Sequence, residues 1–175
     1  HVGRSAKLQD DAFRFAKMGG TIDITCGQSE SKFKAVAASL KKAAEEQVPM
    51  EKITISSDGQ GSWSNYDADG KLTEMGVSDV DTIYRQIVYE VKNEKMPLAE
   101  ALTFGTSNVA KALELYPKKG AVQEGSDGDL LSMNGDRTRD AVITGGGGMM
   151  KDGVSVKKGT YAKEECCDEA SMWDR

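Results

Sequence analysis

The chain has 175 residues and a net charge of −5, from 23 Lys and Arg against 28 Asp and Glu. No cluster of Lys or Arg stands out, which argues against nucleic acid as a partner. No apolar run approaches the length of a membrane span, and no signal peptide opens the chain.

The first residue is His rather than Met. The chain starts without a cap, a turn or a lead-in, so it reads as a fragment of a longer protein. Three cysteines, Cys26, Cys166 and Cys167, are an odd count that argues against a disulfide framework and suits a reducing cytoplasm. Cys166-Cys167 lacks the spacing of a structural zinc site. Cys26 ends an apolar run and reads as a small buried side chain.

After His1-Val2-Gly3-Arg4, the residues Leu8, Ala12, Phe15 and Ala16 recur at helical spacing, and Gly19-Gly20 ends that helix as a C-terminal cap. Thr21 to Cys26 is a strand pattern stopped by Gly27, with Asp23 either paired or facing polar space. Ser29 or Ser31 can cap the next helix, whose apolar stripe is Phe33, Val36, Ala37, Leu40 and Ala44. A second strand, Ile53 to Ser57, ends at Asp58 and runs into Gly59-Gln60-Gly61-Ser62. Helix, strand, helix, strand with short connections predicts parallel strands in an α/β sheet or barrel. A carboxylate at the carboxyl end of such a strand, before a Gly-rich loop, is where α/β barrels place catalytic groups. Read alone, Ser-Asp-Gly is also ordinary loop chemistry.

Trp63 to Gly76 reads as a loop rich in Asp, Gly and Asn. Asn65, Asp67, Asp69 and Gly70 imitate the start of an EF-hand loop, but its twelfth position is Gly76 where a bidentate Glu is needed, so an Asp-Gly turn is preferred. Val80, Ile83, Tyr84, Ile87, Val88 and Val91 predict a helix with a wide apolar face. Pro97 and Ser107 start two short helices. Beyond Tyr116-Pro117 the pattern changes to short strands. Asp152-Gly153 marks a hairpin, and Gly145 to Gly148 reads as a flexible turn rather than a phosphate loop. The expected organisation is residues 1–117, 118–162 and a charged tail 163–175.

His1 is the only histidine and lies 57 positions before Asp58. Two β/α units of a barrel take about 60 residues, since eight take about 250. If His1 ends one barrel strand, Asp58 ends the strand two further on, and both open on one face. A His and an Asp meeting there suit a divalent metal such as zinc, though two ligands are too few for a tight site.

These residues resemble the C-terminal part of the isoaspartyl (β-aspartyl) dipeptidases of the amidohydrolase superfamily. The resemblance is carried by His1-Val2-x-Arg4, Gly19-Gly20-Thr21-Ile22-Asp23-Ile24-Thr25 and Ser56-Ser57-Asp58-Gly59-x-Gly61-Ser62. It continues through Gly76-Val77, Thr106-Ser107-x-Val109-Ala110, the stretch from Gly120 to Leu131, and Lys151-Asp152-Gly153. It implies the last part of a (β/α)8 barrel over 1–117 and part of a small β-sandwich over 118–162. It also implies a two-zinc site in the complete chain and hydrolysis of a small dipeptide by a metal-bound hydroxide. By position, His1 and Asp58 match metal ligands, Asp58 the general base and acid, and Arg4 and Ser62 the residues that hold substrate carboxylates. The remaining ligands of that family lie upstream of His1, so the 175 residues alone are expected to be inactive and prone to aggregation. For the complete protein the expectations are a homo-oligomer and a cytoplasmic location. Two other readings stand beside this one: an amidohydrolase of cyclic amides or N-acyl amino acids, and a non-enzymatic binding module.

Overall fold

The computed structural model describes residues 2–157 and 159, without the side chain of Arg4. The chain divides into two compact units, His1–Val122 and Gln123–Arg175. The tail beyond residue 160 and Cys166-Cys167 lie outside the described residues.

The first unit is a mixed α/β layer. A 3-10 turn, Val2–Arg4, leads into α1, Ala6–Lys17. Ser5 caps α1 by accepting the Leu8 amide on its hydroxyl at 3.2 Å. The other end closes as a Schellman motif. Gly19 takes φ 98°, its amide reaches the Ala16 carbonyl, and the Gly20 amide reaches the Phe15 carbonyl. The buried face differs from the predicted one. Phe13, with Ala12 and Ala16, enters the core, while Phe15 is 55% exposed. The Phe15 ring instead covers Gly20, where an added Cβ would lie 2.1 Å from it.

Strand β1, Ile22–Thr25, is joined through α2, Glu30–Glu45, to β2, Ile53–Ser56. The strands pair in parallel with Ile22 opposite Ile53 and Thr25 opposite Ser56, as the alternation of helices and strands predicts. Ile22, Ile24, Ile53 and Ile55 meet Phe13, Val36, Leu40 and Phe104 in one core. On α2, Ala43 takes the buried position expected of Ala44. Ser29 holds the N-cap position of α2 without a capping side-chain bond; its hydroxyl contacts that of Ser31.

Ser62–Tyr66 (β3) and Leu72–Val77 (β4) form an antiparallel hairpin where the sequence predicts a loop. One carboxylate oxygen of Asp67 accepts the amides of Asp69 and Lys71, and Gly70 takes φ 77°. The EF-hand-like spacing therefore serves the hairpin turn.

Three helices follow: α3, Thr82–Lys92; α4, Leu98–Thr103; and α5, Ser107–Ala112. The buried side of α3 includes Ile87 and Val88 but also Thr82, Gln86 and Glu90, while Val80 is exposed. The helices seal the outer edge of β2. The Ile55 amide donates to the Phe104 carbonyl at 3.1 Å. The buried Asn108 amide donates to the carbonyls of Met50 and Ile53 at 2.9 and 2.8 Å. Covering an edge in this way protects it from further pairing.

The second unit is a four-stranded antiparallel meander: β5, Leu130–Met133; β6, Arg139–Thr144; β7, Gly147–Lys151; β8, Val154–Ser155. Gly145-Gly146 and Asp152-Gly153 both supply the two positive φ angles of a tight hairpin. The latter is the predicted hairpin. The glycine run, expected to be wholly a turn, divides into a turn and the first residues of β7. A sandwich needs two sheets; the described residues of this unit form a single four-stranded one.

Candidate functional site

Both parallel strands point their carboxyl ends at a cleft of about 540 Å³. Thr25, Cys26, Gly27 and Gln28 line it from the end of β1, Asp58 from the end of β2, and Ser62 to Asn65 from β3.

The turn that presents Asp58 is built from its neighbours. Asp58 itself has φ 51° and Gln60 φ 67°, a left-handed conformation that Asp tolerates better than most residues but at a cost. The Gly61 amide returns to the Asp58 carbonyl at 2.9 Å, and Gln60 and Gly61 exchange backbone bonds with Ser78. A Cβ at Gly61 would lie 2.8 Å from the Asp58 carbonyl oxygen and 3.0 Å from its carboxylate. A Cβ at Gly59 would lie 2.7 Å from Val80. Gly61 is therefore required by its approach to backbone, whereas at Gly59 the exposed Val80 side chain would have to shift; the Asp58 carboxylate is left exposed at the cleft.

Below this turn the strands are tied by Asp23. One of its carboxylate oxygens accepts the Thr54 hydroxyl at 2.9 Å, the other the Ser56 hydroxyl at 2.5 Å. The open question about Asp23 is thus answered by pairing across the sheet. Just past the end of β1, Cys26 is buried and free. Burial, with the carboxylates of Asp23 and Glu90 adding to it, pushes its thiol up to about 12, so the thiolate is suppressed and the side chain acts as a small apolar group.

Of the four residues singled out from the sequence, Asp58 and Ser62 line this one cleft. His1 and the side chain of Arg4 lie outside what is described, although Gly3 beside them lines the cleft. Among the described residues, no three His, Cys, Asp or Glu side chains converge to hold a metal ion. Asp58 thus offers one hard oxygen donor of the kind zinc accepts, and the described residues do not close a metal site by themselves.

Sequence reasoning did not single out Trp63, Glu74 or Lys32, which also line the cleft. The Glu74 carboxylate accepts the Asn65 amide across the hairpin at 3.1 Å. A hairpin recognised at Asp69-Gly70 would have drawn attention to Trp63 and Glu74. The loop after β1 is held from α3. Arg85 reaches Gln28 at 3.2 Å and pairs with Asp81 at 3.0 Å.

Residues 7–156 match the amidohydrolase family, and the chain belongs to that family. A crystal structure of a beta-aspartyl dipeptidase from the thermophilic keratin degrader Fervidobacterium islandicum AW-1, in complex with a beta-Asp-Leu dipeptide, is 33% identical with a TM-score of 0.78. The match covers 91% of this chain and 41% of that one. A second structure of a beta-aspartyl dipeptidase from the same organism is 32% identical, with a TM-score of 0.71 over 91% of this chain and 39% of that one. N-acetylglucosamine-6-phosphate deacetylase from Pasteurella multocida shares the fold at 18% identity and a TM-score of 0.53, over 73% of this chain and 36% of that one. The chain thus spans about two-fifths of the length of the dipeptidases it matches. No helix among the described residues is long and apolar enough to cross a membrane.

Proposed function

We propose that this chain is the C-terminal part of a zinc-dependent hydrolase of β-aspartyl dipeptides, with Asp58 as its proton-transfer group. The observation that carries the reading is the placement of Asp58. It stands in a left-handed turn at the carboxyl end of a parallel strand and shares a cleft with Ser62. The likeness to a dipeptidase solved with beta-Asp-Leu supports the substrate class.

On this reading residues 1–117 are the last part of a (β/α)8 barrel, 118–162 belong to a small β-sandwich, and 163–175 are a tail. His1 and Asp58 supply nitrogen and oxygen donors to one flank of a metal centre, and the other ligands come from outside this chain. Bound zinc brings the pKa of water down to about 7, which supplies a nucleophile at neutral pH. Asp58 takes the proton of the attacking water and returns it to the departing amine. Its carboxylate is exposed on a pinned turn, within reach of a molecule in the cleft. Arg4 grips a substrate carboxylate with its planar fork, and Ser62 donates a hydroxyl to a carboxylate from the start of β3. The complete protein acts on small dipeptides as a cytoplasmic homo-oligomer.

The test uses the full-length product of the gene that encodes this chain. It should contain about two zinc ions per chain and cleave β-Asp-Leu but not α-Asp-Leu. Asp58→Asn should lower kcat by a factor of about 10² to 10⁴. Equal cleavage of the α- and β-linked dipeptides, or full activity in Asp58→Asn, refutes the assignment.

A further inference from the structure

Trp63 stands apart from the rest of its hairpin. Of the residues in β3 and β4, only Trp63 and its cross-strand partner Gly76 are half-buried; the others are exposed. Trp63 takes no part in the hydrophobic core of the unit. It lines the cleft that also holds Asp58 and Ser62, and it is the one aromatic among the described residues that do so.

Gly76 explains how the ring is held. A Cβ there would lie 2.6 Å from Cζ2 and 2.8 Å from Cε2 of Trp63. The φ of Gly76 is ordinary, so the glycine serves to leave a flat seat for the indole. The Trp63 Nε1 is enclosed and has no acceptor. Packing on Gly76, not a hydrogen bond, therefore sets the orientation of the ring. A large aromatic surface fixed in this way in the wall of the cleft offers apolar contact to whatever enters. Its neighbours on the hairpin, Ser62, Ser64, Asn65 and Glu74, are polar or charged, so on this ribbon the indole is the apolar contact, and Ile24, Ala35 and Val36 add apolar lining from β1 and α2.

We infer that Trp63, seated on Gly76, is a specificity-determining residue that contacts the side chain of the substrate's C-terminal residue and selects β-aspartyl dipeptides whose leaving residue is large and apolar. This deepens the dipeptidase reading and rests on it. The β-aspartyl half of every such substrate is the same. It carries its own amine and carboxylate, for which the charged and hydroxyl groups of the site suffice. What varies is the leaving residue, and an apolar side chain there gains from the indole wall what glycine cannot. Hydrophobic pockets discriminate by about 10- to 200-fold when a methylene-sized group is added or removed. A single open wall should lie at the lower end.

The experiment measures kcat/KM for β-Asp-Leu and β-Asp-Gly with the full-length gene product, Trp63→Ala, Trp63→Phe and Gly76→Ala. The expected ratio, Leu over Gly, is about tenfold for the unaltered protein. It should fall to between one and two in Trp63→Ala and be largely retained in Trp63→Phe. Gly76→Ala should lower it as well, because it displaces the ring while leaving Trp63 in the sequence. A ratio near one in the unaltered protein overturns the inference. So does a ratio that survives Trp63→Ala with both substrates weakened alike, which is the mark of a purely structural role. Hydrolysis of neither dipeptide overturns the dipeptidase reading and this inference together. Hydrolysis of both with no dependence on Trp63 or Gly76 overturns this inference alone.

Discussion

Glu90 gives the sharpest quantitative test of the fold. It lies on the inner side of α3 at 2% exposure, where its carboxylate accepts the Gln86 amide at 2.6 Å. Gln86 in turn donates to the Phe33 carbonyl on α2. Burial pushes the Glu90 carboxyl up to about 7 from its ordinary 4.5; the Gln86 bond opposes the shift, and the charge of Glu94 adds to it. Lys41, Glu94 and Glu100 line the same shallow pocket. Between pH 4.5 and about 7 the folded chain holds a proton that the unfolded chain has released. The cost of ionising Glu90 is therefore absent below that window, grows as pH rises through it, and is complete above it. At about 1.4 kcal/mol per pH unit the full cost is about 3 kcal/mol.

Glu90→Gln keeps the oxygen that accepts from Gln86 and removes the charge. The variant should match the unaltered protein near pH 4.5 and exceed it by about 3 kcal/mol at pH 8. Urea denaturation at pH 5, 6, 7 and 8 measures this directly, since the other titrating groups cancel in the difference. A stability difference that stays constant with pH would refute the reasoning. It would mean that the folded protein keeps Glu90 ionised throughout, through water or a counter-charge.

Two further outcomes are expected. Asn108→Ala should destabilise the fold by about 1–3 kcal/mol, because it removes two bonds to backbone carbonyls, of which that of Met50 keeps the Ile53 amide; urea midpoints that shift by less than the equivalent of about 0.5 kcal/mol would show water taking over. Arg4→Ala in the full-length gene product should raise KM for β-Asp-Leu by about tenfold or more, with a smaller change in kcat, as expected when ground-state binding of a carboxylate is lost. An unaltered KM would remove Arg4 from the substrate contacts.

The parts of the fold that could be read from the sequence are those where burial and period coincide. The β-branched runs at Ile22 and Ile53 stop at Gly27 and Asp58, and the helix between them has one apolar stripe, so parallel pairing followed. Gly19 and Asp152-Gly153 were legible because only a few residues adopt their backbone angles. The β3–β4 hairpin was not legible. With nearly every position exposed, it has no apolar alternation to betray it. Phe13 and Phe15 are two residues apart on a short helix, and which one enters the core depends on the strands behind it. Gln86 and Glu90 were invisible for a different reason. They are polar residues on a buried face, tied to Phe33 and to each other through the Gln86 amide nitrogen, and neither partnership leaves a pattern. At the site, Asp58 and Ser62 came from a specific motif, whereas Trp63 depends on a pairing with Gly76 that only the hairpin register reveals.

The two sides of the cleft are built to different standards. β2 is held on one edge by Asp23, through Thr54 and Ser56. On the other it is held by Phe104 and Asn108, so the position of Asp58 is fixed by bonds on both sides before the turn begins. In the proton-transfer role proposed for Asp58 such support matters, since a displacement of about 1 Å can cost about 10² in rate. The hairpin has no comparable anchoring and buries little beyond one indole. Changes beneath β2 should therefore act on the rate for every substrate, whereas changes at Trp63 and Gly76 should act on the choice among them. If both proposals hold, substrate selection lies on the exposed ribbon, where residues can change without disturbing the strand that carries the carboxylate.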